Sequence, residues 1–132
     1  MTCRELLREG EDALLAAGVP DGELDAWYLF SGCFSMDRGR YLLCTETELS
    51  GAAAEEFRRL VRRRAERIPL QHLLKSQEFM GLSFFVDGHV LIPRQDTETL
   101  VETVLAGERA RALADPAEKE GRPYRILDLC TG

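Results

Sequence analysis

The sequence predicts an α-helical bundle at the N-terminus, a β-hairpin connector, and the first elements of an α/β domain. Three observations predict it. Apolar residues recur at helical spacing through residues 1–75. The period then shortens among turn residues in "EFMGLSFFVDGHVLIPR". After one more helical stretch the chain reaches "RILDLCTG", a short apolar run passing into a small-residue turn.

The elements follow in order. Thr2-Cys3-Arg4-Glu5 has the form of a capping box, with Thr2 as cap and Glu5 reaching back. Leu6, Leu7, Ala13, Leu14 and Ala17 continue at helical spacing until Gly18 and Pro20 end the helix. A second helix is expected from about Asp21 to Phe34, with Leu24, Trp27, Tyr28 and Leu29 on or near its buried face. Among such neighbours Trp27 is read as core rather than as a ligand-stacking ring. A short third helix covers Asp37 to Cys44. Ser50 caps a fourth, whose stripe is Phe57, Leu60, Val61, Ala65 and Ile68. Its early Glu55 and Glu56 and its late arginines suit the helix dipole. Pro69 opens a fifth helix through about Leu74, where a missing N–H costs little.

Beyond residue 75 the apolar positions are Phe79, Phe84, Val86, Val90 and Ile92, expected as paired strands. Gly81-Leu82 and Asp87-Gly88 are both candidate turns. Asp-Gly is the stronger hairpin signal taken alone, and the register stays open. A helix from about Asp96 carries Leu100, Val101, Val104 and Leu105 on one face. "ADPAEKEGRPY" is a charged, solvated connection, and Arg125 to Cys130 is a short buried strand. The domain boundaries read this way are 1–75, 76–95 and 96–132. A strand without its parallel neighbours is weakly held, so residues from about Tyr124 onward are expected to be poorly anchored.

Composition narrows the function classes. The chain is 45% hydrophobic and 30% charged, a globular balance. No apolar run approaches the roughly 18 residues of a membrane span, and "MTCRELLREG" has no signal-peptide core. Residues 1–57 hold 4 basic and 12 acidic side chains, whereas residues 58–75 hold 7 basic and 1 acidic. An acidic chain with one basic belt is not built as a general nucleic-acid binder. The belt (Arg58, Arg59, Arg62, Arg63, Arg64, Arg67) is read first as a solvated helix flank and second as a docking surface. Cys3, Cys33, Cys44 and Cys130 show no metal-like spacing with His72 or His89 and are read as reduced thiols of a cytoplasmic protein. Both histidines are expected to be satisfied or at the surface.

Two stretches carry chemistry. In "DLCTG" a strand runs through Asp128 into a small-residue turn, the way many nucleotide-binding sheets begin. On the pentapeptide alone, an ordinary strand-to-loop corner reads equally well. In "VLIPRQDTETLVETV", Pro93 holds the chain extended, Arg94 adds a charge, and Asp96 or Thr97 caps the next helix. That junction either is simply well capped or places Arg94, Thr97 and Glu98 at the mouth of a site.

"EFMGLSFFVDGHVLIPRQDTETLV" followed by "ILDLCTG" resembles the release-factor glutamine methyltransferases of the HemK/PrmC type, and "RRRAERIPLQHLL" fits the same family. The resemblance implies a Rossmann-like methyltransferase domain beginning near residue 96 and cut within its S-adenosylmethionine loop. It implies Asp128, Cys130, Thr131 and Gly132 as cofactor-binding residues. Ile92, Pro93, Arg94, Thr97 and Glu98 would border the same site. Gln95 departs from the pattern, where the family has proline. Cys130 would be a small packing residue rather than a nucleophile, and no metal is implied.

The implied activity is methyl transfer from S-adenosylmethionine to the glutamine amide in the Gly-Gly-Gln loop of a peptide chain release factor. The partner would be that release factor, recognised by the helical bundle, with the protein a monomer. The family's substrate-gripping Asn-Pro-Pro-Tyr motif does not occur in these residues, so they are expected to be inactive alone and no catalytic residue is assigned. Two alternatives stand beside this reading: a non-catalytic module that binds the release factor, and a nucleic-acid methyltransferase of the same fold.

Overall fold

A computed structural model describes residues 1–114 together with Leu127 and Leu129. The chain divides into two compact units, Met1–Ile92 and Pro93–Gly132. The first holds α1 (Cys3–Ala16), α2 (Gly22–Phe34), α3 (Arg38–Leu43), α4 (Gly51–Ala65), α5 (Leu70–Leu74), β1 (Ser76–Phe79) and β2 (Leu82–Phe85). The second holds α6 (Gln95–Ala114). The architecture is thus mostly helical with one antiparallel hairpin, as the periodicities predict.

Local chemistry sets the helix ends. The Thr2–Glu5 capping box forms in both directions, at 3.3 Å from Glu5 N to Thr2 Oγ1 and 2.8 Å from Thr2 N to Glu5 Oε2. At the other end of α1, Gly18 takes a positive φ of 64°. Its N–H donates to the Leu15 carbonyl, and that of Val19 to the Leu14 carbonyl. This paired arrangement satisfies two end carbonyls and turns Val19 into the core. The end of α4 has the same form without a glycine. Arg67 N–H donates to the Arg64 carbonyl and Ile68 N–H to the Arg63 carbonyl, with Arg67 at φ 70°. The Arg67 guanidinium also donates to the carbonyls of Ala17 and Gly18, both at 3.0 Å. One residue therefore closes α4 and caps the C-terminal end of α1.

The core lies between α1, α2 and α4, closed by α5. Phe30 is its centre, fully buried, with Phe57 edge-on at 5.6 Å and Phe34 and Tyr41 in ring contact. Trp27 is 6% exposed and carries the Arg38 guanidinium 3.9 Å above its ring. The buried residues of α2 are Gly22, Asp25, Ala26, Trp27, Leu29 and Phe30. Leu24 and Tyr28, expected near the buried face, are instead about half exposed, because the face turns toward Asp25 and Phe30. Ala13 of α1 is likewise exposed. In α4 the stripe Phe57, Leu60 and Val61 is buried, with Ala65 and Ile68 packed at its edge.

The turn question resolves against the stronger signal. β1 and β2 pair with Ser76 opposite Phe85 and Phe79 opposite Leu82, leaving Met80-Gly81 as a two-residue loop. Both loop residues have positive φ, 52° and 74°, the twist that joins tight antiparallel strands. Asp87-Gly88 makes a separate bend, with Val90 N–H donating to the Asp87 carbonyl. Val86, Val90 and Ile92, expected in strands, lie in neither strand nor helix. Short-range turn chemistry lost here because the Ser76–Phe85 pairing places the reversal seven residues before Asp87-Gly88.

The charged connection falls outside the described residues from residue 115 onward, and the weak anchoring expected from about Tyr124 onward falls outside them except at Leu127 and Leu129. Leu127 and Leu129 are in no regular element and are 81% and 72% exposed, so these two positions do not show the expected buried strand. A parallel strand is buried by its neighbours in a sheet, and the hairpin pairs only β1 with β2 among the described residues.

Candidate functional site

The segment expected to border the site forms one compact turn at the start of α6. The helix begins at Gln95, so Asp96 and Thr97 sit in its first turn and not at its cap. Thr97 N–H donates to the Arg94 carbonyl at 3.0 Å. Pro93 and Glu98 are half-buried, whereas Arg94 and Thr97 are exposed. Asp96 and Glu98 place negative charge where the helix dipole favours it. Gln95 occupies the first helical position, which tolerates proline because its N–H is not needed by the helix. The departure of Gln95 from the family pattern therefore leaves the turn intact. Asp128, Cys130, Thr131 and Gly132 lie outside the described residues.

On the expected face of α6, Leu100, Val104 and Leu105 are exposed, at 63%, 54% and 45%, and Val101 is half-buried. No helix among the described residues is long and apolar enough to cross a membrane. No group of three or more His, Cys, Asp or Glu among them is arranged to hold a metal ion.

The basic belt resolves largely into internal partnerships. Arg58 donates to both Glu9 oxygens, at 2.7 and 3.0 Å, joining α4 to α1. Arg59 pairs with Glu56 and Arg62 with Glu55 along α4 itself. Arg64 is only 16% exposed and meets Asp25 of α2, 13% exposed, at 2.7 Å. It also donates to the Ile68 carbonyl at 3.3 Å. With Arg67 holding the end of α1, the belt is in good part the internal bracing of the bundle. Arg59, Arg62 and Arg63 stay exposed, as a solvated flank would, while Arg58, Arg64 and Arg67 reach across to other helices or the end of α1. Charge counting missed this because one carboxylate, Asp25, is distant in sequence and adjacent only in the fold.

Two of the clefts on the helical surface, among the described residues, hold titratable groups with displaced pKa values. One, of about 320 Å³, lies between α1, α2 and α3 and is lined by Leu7, Leu15 and Tyr41 with Glu11, Asp12 and Glu23. Burial and then the charges of Glu23 and Asp12 push the Glu11 carboxyl above its usual range. The other, of about 300 Å³, is lined by Gly32, Cys33, Glu56, Leu60, Leu73 and Leu74. Burial, followed by the Glu56 charge, raises the Cys33 thiol. Of the histidines, His89 is exposed, as expected, and lies 3.3 Å from Asp87, whereas the Nε2 atom of His72 is buried with no hydrogen-bond partner among the described residues.

A five-helix unit capped by arginines and followed by a hairpin and a helix-opening Ile-Pro-Arg turn defines the class. The family model described as the PrmC N-terminal domain matches residues 5–74, and the chain belongs to that family. A release factor glutamine methyltransferase of Moorella thermoacetica is 46% identical over 132 residues, covering 100% of this chain and 43% of that protein. One from Deinococcus radiodurans is 35% identical over 132 residues, covering 100% and 44%. A bifunctional methyltransferase of Rickettsia conorii is 30% identical over 127 residues, covering 96% and 24%. The chain thus spans less than half the length of each of these relatives.

Proposed function

We propose that this chain is the substrate-recognition and site-bordering part of an enzyme that methylates the side-chain amide of a glutamine in a peptide chain release factor. S-adenosylmethionine is the methyl donor of this reading and the cytoplasm its setting. The observation that carries it is the coincidence of two features in one chain. The helical unit matches the family model, and the Ile-Pro-Arg junction forms a tight turn that opens α6.

The residues present fit such a donor by their chemistry. The exposed turn of Arg94 and Thr97 is open to a ligand, and the Glu98 and Asp128 carboxylates suit a ligand bearing ammonium and hydroxyl groups. Thr131 and Gly132 allow close backbone approach. When bound, S-adenosylmethionine supplies an electrophilic methyl group. A glutamine amide nitrogen is a poor nucleophile because its lone pair is delocalised, so the protein's contribution is to hold that nitrogen in line and exclude competing water. In this reading the helical unit positions the release factor.

The test uses the complete open reading frame that contains this chain. The purified protein is incubated with S-adenosylmethionine and a release factor carrying its Gly-Gly-Gln loop. Peptide mass spectrometry should find one added methyl group, on that glutamine, with none after the glutamine is replaced. Methyl transfer to RNA or DNA instead, or binding of the release factor without any methylation, would overturn the proposal.

A further inference from the structure

We draw no further inference here: the strongest candidate, the apolar face of the β1–β2 hairpin on which Leu82 is 62% and Phe84 43% exposed beside the half-buried Phe79, is an unpartnered sheet face among the described residues, and nothing in the structure shows what covers it.

Discussion

Replacing Gly10 by alanine sets helix propensity against packing in the middle of α1. Alanine favours a helix interior over glycine by about 1 kcal/mol, so propensity alone predicts stabilisation. The structure predicts the reverse. A Cβ at residue 10 would lie 2.5 Å from Phe57 Cζ, 2.8 Å from Cε1 and 3.3 Å from Val61 Cγ2. The Phe57 ring is fully buried and has Phe30 edge-on at 5.6 Å, so it has little room to retreat. Overpacking of this kind costs about 1–3 kcal/mol, and contact with two ring carbons places it toward the upper end. The net expectation is a loss of about 1–2 kcal/mol. Urea unfolding followed by far-ultraviolet circular dichroism measures it, and the m value should not change. Phe57→Leu in the same background should recover part of the loss, giving a favourable coupling in a double-mutant cycle. If Gly10→Ala is as stable as the parent or more so, α1 and α4 are not packed as closely as described and the reasoning fails.

Asp25→Ala should cost about 3 kcal/mol, because it strands the poorly exposed Arg64 guanidinium without its carboxylate. Asp25→Leu combined with Arg64→Met should cost clearly less, and equal losses in urea unfolding would show that the pair is not buried as a unit. Stability should also fall in acid. Hydrogen bonds from Arg58 hold the Glu9 carboxyl below its ordinary value of 4.5, so its contribution is present above that pH and is lost as pH falls through the depressed value. Glu5 and Glu56 act with the same sign. Glu11, raised, acts oppositely and loses its contribution as pH rises, so Glu11→Gln should increase stability at neutral pH while Glu9→Gln flattens the acid slope. Thermal unfolding across pH 3 to 7, taken here as roughly the carboxylate range, reads both. Gln95→Pro should stabilise α6 by about 0.4–1 kcal/mol through the unfolded state, seen as slower hydrogen exchange along α6; faster exchange would mean that Gln95 is not its first residue.

Much of the bundle was legible in the chain itself, for a local reason. Thr2 and Glu5, Ser50, Gly18 and the Phe57–Leu60–Val61 stripe act within one or two helical turns, so neighbours in sequence are the partners that matter. The Ile-Pro-Arg junction and the family motifs were legible for the same reason. What only the tertiary structure decided involved partners far apart in the chain. Asp25 and Arg64, Arg58 and Glu9, and Arg67 with the end of α1 meet because the helices stack, and so a basic belt becomes internal bracing. The hairpin turned at Met80-Gly81 because strand pairing, a sum over several residues, outweighs the preference of the single dipeptide Asp87-Gly88. The pairing of the first residues with the segment after α3, Cys3 N–H on the Thr47 carbonyl and Arg4 N–H on the Thr45 carbonyl, likewise joins segments some forty residues apart, a distance over which sequence pattern carries no geometry.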